Sequence, residues 1–173
     1  MRAEVHLRKG PWSGQLAILA RPRGNDWLFD EVQAWRAAGV HVVVSLLTGS
    51  ENDELGLVQE GQFTKDLGLD FVSFPIDDYS VPKSEESVLQ LTGKLHQTLS
   101  EGKCVGIHCR QSIGRSGLIA ACLLVVAGEA PTDAFDHVSA ARSATVPDTA
   151  EQREWVHKFA NNLKSPSKLP SAK

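Results

Sequence analysis

No apolar run in this 173-residue chain is long enough to cross a bilayer, the longest being Leu118 to Ala127. The opening stretch, Met1 to Gly10, is charged and lacks the apolar core of a secretory signal. Cysteine is scarce and odd in number: three residues with no sign of export read as free thiols in a reducing compartment, not as a disulfide framework. These absences exclude a membrane partner and predict a cytoplasmic protein. A basic excess is missing too, because the net charge is −3, so sequence-independent nucleic-acid binding is not expected and any anion site must be local. Five of the six histidines, His6, His41, His96, His137 and His157, are scattered without metal-ligand spacing, so neither a metal nor another cofactor is predicted. There is no internal repeat.

What is present is ordinary globular material: 42% hydrophobic and 23% charged residues exclude a disordered or fibrous chain. The length suits one domain, placed at residues 1–164 and expected to be monomeric. From Ser165 onward the Ser-Pro-Ser-Lys-Leu-Pro-Ser-Ala-Lys segment has too little apolar content to pack, and it is expected to be a mobile tail.

Short β-type runs alternate with longer stretches of helical period, the pattern of an α/β fold with a mostly parallel sheet of four to five strands flanked by helices on both sides. Four strands are predicted: Leu16 to Ala20, Val40 to Leu47, Asp70 to Phe74 and Lys103 to His108, the last weakest in composition. Asn25 or Asp26 is placed as the cap of a helix carrying Leu28, Val32 and Trp35, with Gly39 ending it. Ser84 caps a second helix with Val88, Leu91, Leu95 and Leu99 at helical spacing. Arg115 to Ala127, apolar almost all round, predicts a helix buried against the sheet centre, and two more are expected near Thr132 to Ala141 and Thr149 to Leu163.

The stretch that carries chemistry is Val105-Gly106-Ile107-His108-Cys109-Arg110-Gln111-Ser112-Ile113-Gly114-Arg115-Ser116-Gly117, running from a strand into the buried helix. A tight loop there turns successive N–H groups inward, and the helix N-terminus adds the positive end of its dipole. Phosphate fits such a cradle, formed here by Arg110, Gln111, Ser112, Ile113, Gly114 and Arg115. The same donors favour a thiolate on Cys109, which is the nucleophilic form. Arg115 closes the loop, and its planar fork can grip two phosphate oxygens at once.

These residues resemble the signature of the cysteine-dependent protein tyrosine and dual-specificity phosphatases: His, Cys, five residues, Arg, then Ser or Thr. The spacing of elements from about Leu16 to Leu163 is similar to that of compact members related to Cdc14 and the kinase-associated phosphatase. The resemblance implies that Cys109 attacks phosphorus, that Arg115 binds the phosphoryl group, that Ser116 eases departure of the thiolate and that His108 positions the loop. Ser112 departs from the pattern, since many members have Gly three residues after the cysteine.

An ester leaving group also needs an acid. Phe74-Pro75-Ile76-Asp77-Asp78-Tyr79-Ser80-Val81-Pro82 follows a strand and offers two adjacent carboxylates. Matched to the family's Pro-Ile-x-Asp-x-x-x-Pro loop, it makes Asp78 the acid, with Asp77 as the alternative. The resemblance extends to Val146-Pro147-Asp148-Thr149-Ala150-Glu151-Gln152, where Gln152 is expected to position the hydrolytic water. Cys122 reads as core. Cys104, five strand residues or about 16 Å from Cys109, is too far for a disulfide, which needs Cα atoms within about 7 Å. Trp27, beside Arg21, Arg23 and Asn25, is expected to border the mouth.

The resulting expectation is a phosphatase for phosphotyrosine, with phosphoserine and phosphothreonine also open, acting on a phosphorylated protein or a small phosphate ester. Arg110, Arg21 and Arg23 point to an acidic or polyphosphorylated ligand. Two other readings stand beside it: a non-catalytic phosphate-binding module, and thiol redox or sulfur-transfer chemistry on the same loop.

Overall fold

The computed structural model describes residues 5–165. Apart from Ser165, the expected tail lies outside the described residues. Five strands form one sheet: β1 (Val5–Lys9), β2 (Gln15–Leu19), β3 (Val42–Ser45), β4 (Asp70–Ser73) and β5 (Cys104–His108), in the order β1-β2-β5-β3-β4. β2, β5, β3 and β4 run parallel, and β1 is antiparallel to β2 at one edge. The four predicted strands are thus present, and the sequence reading missed β1.

β5, the weakest strand by composition, lies at the centre because both of its faces are covered. Leu16 and Ile18 of β2, Val42 and Val44 of β3, and Val105 and Ile107 of β5 point into one core; Ala17, Leu19, Val43 and Cys104 point into the other. This period-two alternation assigns the apolar side chains of β2, β3 and β5 to one layer or the other. Gly106 keeps β5 thin on the second face, where a Cβ would come within 2.5 Å of a Leu19 methyl.

The second face is covered by α1 (Leu28–Ala37) and α3 (Glu60–Asp66), with α2 (Gly49–Leu55) at the end of β3. α1 buries Leu28, Val32 and Trp35 as predicted, but neither Asn25 nor Asp26 caps it. Both lie in a preceding 3-10 turn, Asn25–Trp27. Asn25 has φ +54°, and its N–H donates to the Gly56 carbonyl at 2.9 Å, so that tie to the end of α2 takes the place of capping. Gly39 ends the helix as expected, at φ +91°, with its N–H on the Arg36 carbonyl at 3.0 Å.

The first face is covered by α4 (Glu85–Ser100), α5 (Gly114–Val126), α6 (Pro131–Arg142) and α7 (Ala150–Leu163). Ser84 caps α4 as predicted, accepting from the Ser87 N–H at 3.1 Å. α5 is buried almost throughout, against α4, α6, α7 and the sheet, which is why its sequence is apolar on every side. Cys122 is core within it, and burial pushes its thiol well above the ordinary range. Cys104 and Cys109 belong to opposite layers, and all three cysteines are free. Among the described residues no helix is long and apolar enough to cross a membrane.

Candidate active site

Parallel strands deliver their outgoing loops to one edge, the carboxyl edge of the sheet. Here that edge gathers residues 109–113 after β5, 46–48 after β3 and 74–84 after β4. Hydrogen bonds continue past the strand ends and hold these loops in register: the Leu46 N–H donates to the His108 carbonyl at 3.0 Å, and the Ile76 N–H to the Leu46 carbonyl at 3.1 Å. The segment bearing Asp77 and Asp78 is thereby fixed beside the one bearing Cys109.

Cys109 is buried at the base of its loop, on the side of β5 that faces α5. His108, one residue earlier, faces the opposite side. Its Nδ1 meets the Cys109 carbonyl at 3.3 Å, its Nε2 meets Glu60 Oε1 at 2.6 Å, and the ring lies against Trp35. Both His108 and Glu60 are excluded from solvent. Glu60 had no place in the sequence reading, because it lies on α3 far along the chain. Removing one member of a buried hydrogen-bonded pair leaves the other without its partner, so Glu60→Ala is expected to lower stability by about 1–3 kcal/mol. Urea unfolding checks this, and an unchanged midpoint would contradict the pairing.

The loop is braced from behind. The Ser112 hydroxyl donates to the Leu19 carbonyl, and Arg142 of α6 donates to the carbonyls of Ser112 at 3.0 Å and Gln111 at 3.3 Å. Carbonyls turned out toward Arg142 leave the peptide N–H groups free to face the centre. Ser112 has φ +58°, a conformation glycine adopts without cost. Ser112 thus holds a backbone shape open to the glycine that many members of the resembled family carry here, with the bond to Leu19 offsetting the strain. Ile113 precedes the first helical residue, Gly114.

Arg115 is buried, and its guanidinium is forked onto Glu51, with Nη1 to Oε2 at 2.8 Å and Nη2 to Oε1 at 2.9 Å. Nη1 also donates to the Ile76 carbonyl at 2.8 Å, and Nη2 pairs with Asp78 Oδ1 at 3.0 Å. Burial works against its charge, but the hydrogen bond to Glu51 and the charges of Cys109, Glu51 and Asp78 outweigh that and hold Arg115 above its ordinary range. On Glu51 burial is likewise outweighed, chiefly by the Arg115 hydrogen bond, and its carboxyl lies below the usual range. Glu51 is a partner of Arg115 that the sequence reading passed over. A signal for it existed: Thr48-x-x-Glu51 is a capping box, and both of its hydrogen bonds form at the start of α2.

Arg115 Nε and the Ser116 hydroxyl are buried with no hydrogen-bond partner. Orphaned buried donors are costly, and two of them on adjacent residues at the start of α5 describe a place for a polar guest.

The other predicted site residues divide. Asp78 is brought to Arg115, whereas Asp77 reaches outward to Lys83 at 3.8 Å. Arg110 is engaged by Glu54 of α2, at 2.8 and 3.3 Å, and Arg23 pairs with Glu31 and stacks over Trp27. Gln152 is buried with both ends of its amide engaged: Oε1 accepts from the N–H groups of Asp148 and Thr149, and Nε2 donates to the Ser80 carbonyl at 3.0 Å. Asp148, unremarked in its segment, lies against Gly114.

Comparison with known proteins gives this arrangement a context. A family model described as "Tc-R-P: Polymorphic toxin system, DSP-PTPase phosphatase" matches residues 18–129, more than half of the chain. Protein tyrosine phosphatase domain-containing protein 1 of Bos taurus is 32% identical over 158 residues, which cover 84% of this chain and 20% of that protein. The chain thus spans about a fifth of the length of the first such relatives. Among solved structures, kinase-associated phosphatase with its catalytic-site cysteine replaced by serine aligns at a TM-score of 0.86 and 20% identity, covering 94% of this chain and 97% of that one. PTPMT1 in complex with PI(5)P aligns at a TM-score of 0.72 and 17% identity, covering 90% of this chain and 95% of that one. The chain therefore belongs to the dual-specificity and protein tyrosine phosphatase family, hydrolases of phosphate monoesters.

Proposed function

We propose that the protein removes phosphate from phosphotyrosine, and from phosphoserine and phosphothreonine, in protein substrates through a phosphocysteine on Cys109. The observation that carries this reading is the placement of a buried cysteine at the floor of the loop and a buried, carboxylate-forked arginine at its rim. The loop amides and the start of α5 bind the phosphoryl oxygens. Arg115, already charged and held in plane by Glu51, adds bidentate contact as negative charge builds on those oxygens. Cys109 Sγ forms a bond to phosphorus as the ester P–O bond breaks, and Asp78 gives its proton to the departing oxygen. Substrate phosphate competes with Asp78 for Arg115, which frees the carboxyl to turn to the leaving group.

A polyphosphorylated ligand, as the PI(5)P complex of PTPMT1 suggests for that protein, finds less support. It would need unpaired cations around the mouth, but of the three arginines noted there Arg110 and Arg23 are each engaged by a glutamate, and Arg21 lies close enough to Glu54 to act on its carboxyl. The rim favours one phosphate, not several. A phosphotyrosine peptide should therefore give a higher kcat/KM than a phosphoinositide, and the reverse order would move the substrate class to lipids.

The role of Asp78 is tested by Asp78→Asn. On phenyl phosphate, whose phenoxide leaves poorly, kcat is expected to fall on the order of 10²–10³-fold and the basic limb of the pH profile to disappear. An unchanged profile would move the acid to Asp77 or elsewhere.

A further inference from the structure

Four large apolar side chains are left exposed among the described residues: Trp27, Phe29, Val58 and Tyr79. One such residue alone is ordinary on a folded surface. Here Trp27, Phe29 and Val58 come from only two segments, the turn into α1 and the link from α2 to α3, and these are tied together. The Asn25 N–H donates to the Gly56 carbonyl at 2.9 Å, and a Cβ on Gly24 would collide with the Leu55 carbonyl. Between the segments lies an open groove of about 630 Å³. Phe29, Phe63 and Val58 give it apolar walls, with the two rings edge to face at 5.5 Å between centroids. Asp26 and Asp53 supply its charge, and among the described residues no lysine or arginine lines it.

That charge is not cancelled nearby. Glu31, Glu51 and Glu54 hold Arg23, Arg115 and Arg110 in turn, whereas Asp26 and Asp53 are exposed and form no ion pair among the described residues. Apolar walls with two open carboxylates fit a segment that carries a large apolar residue beside a lysine or arginine. A second copy of the chain fits poorly, since a twofold contact through this groove would bring the same carboxylates face to face. An anionic lipid surface is repelled by the same charge.

α2 joins the groove to the catalytic loop. Glu51 and Glu54, three residues apart, share the face toward the loop, where they hold Arg115 and Arg110. Asp53 is turned from Glu54 by about 100° around the same helix, and it lines the groove. An extended chain advancing about 3.3 Å per residue passes from the loop to the groove within about three to five residues.

We propose that this groove binds the stretch of a protein substrate about three to five residues from the phosphorylated side chain, selecting a large apolar residue with an adjacent lysine or arginine. This inference rests on the protein-phosphatase reading above and adds to it the sequence class of the substrate. No group in the groove touches the phosphate. It holds the substrate equally in the ground and transition states, so its effect falls on KM and not on kcat.

Steady-state kinetics of the full chain on two phosphotyrosine peptides tests the inference. One peptide carries Leu-Lys pairs about four residues to either side of the phosphotyrosine, and the other carries Ser-Glu pairs at the same places. The first should show a kcat/KM about tenfold or more higher, through KM, from seating one leucine and one cation. Asp53→Lys should abolish or reverse that preference, and Val58→Ser should reduce it by about threefold or more. Val58 is 69% exposed, so its replacement leaves the core intact. Both variants should stay within about twofold of the wild-type rate on p-nitrophenyl phosphate, which has no flanking chain. Wild-type turnover of both peptides at equal kcat/KM would overturn the inference while leaving the proposed function in place. A preference undiminished in either variant, or an equal loss on peptide and p-nitrophenyl phosphate, would also overturn it. A wild-type protein inactive on p-nitrophenyl phosphate would instead remove the phosphatase reading, and this inference with it.

Discussion

Arg115→Ala is expected to reduce kcat/KM on p-nitrophenyl phosphate by about 10³–10⁵-fold, the scale seen when an arginine that stabilises a transferring phosphoryl group is removed. The loss should fall on both kcat and KM, because Arg115 meets the phosphoryl oxygens in the ground state and follows them to the transition state. Arg115→Lys should recover little. The site is built for a fork, with Glu51 taking one hydrogen bond from each Nη atom, and an ammonium presents a single point of charge in its place. The alanine variant also leaves Glu51 without its main cation, so Tm should be measured beside the rates. A lysine variant with near-wild-type kcat/KM would contradict the role given to the fork.

Cys109→Ser is expected to abolish turnover, leaving less than about one part in 10⁴ of the wild-type rate, since a serine hydroxyl is a far weaker nucleophile than a cysteine sulfur. Binding should survive, because the amides and Arg115 that hold the phosphate are untouched. Inorganic phosphate or a phosphopeptide should therefore still raise the Tm of the variant. Residual turnover near the wild-type rate would require another nucleophile. Neither Cys104 nor Cys122 is placed to serve, because the first lies in the opposite core layer and the second is sealed within α5.

The strand, the loop and the buried helix were legible in the sequence because they are contiguous. The run from Val105 to Gly117 carries the buried cysteine, the loop after it and the buried arginine within one supersecondary unit. Asp78 was legible for the same reason, since it sits in a proline-bounded loop directly after a strand. Glu51 and Glu60 were not, because their meaning depends on tertiary packing that brings α2 and α3 against the far end of β5. The capping box at Thr48 predicts a helix start, but nothing local says that its glutamate also forks a buried arginine.

Asn25 was misread for a related reason. Its side chain is a good cap in isolation, yet the backbone bond to Gly56 pulls it into a left-handed turn. β1 escaped notice because Val5 and Leu7 alone give too short an alternation to stand out from a charged segment. The segment from Val146 to Gln152 was legible as well, but that Asp148 and Gln152 both lie against Gly114 follows from the missing side chain at the start of α5 and not from the pattern.

The central claim, a covalent phosphocysteine, is tested most directly by quenching the wild-type enzyme in acid during turnover of p-nitrophenyl phosphate and locating the phosphoryl group by peptide mass mapping. The account predicts one phosphoryl group on the peptide bearing Cys109, lost in Cys109→Ser. Turnover with no phosphoryl group on the protein, or with one on a different residue, would contradict it.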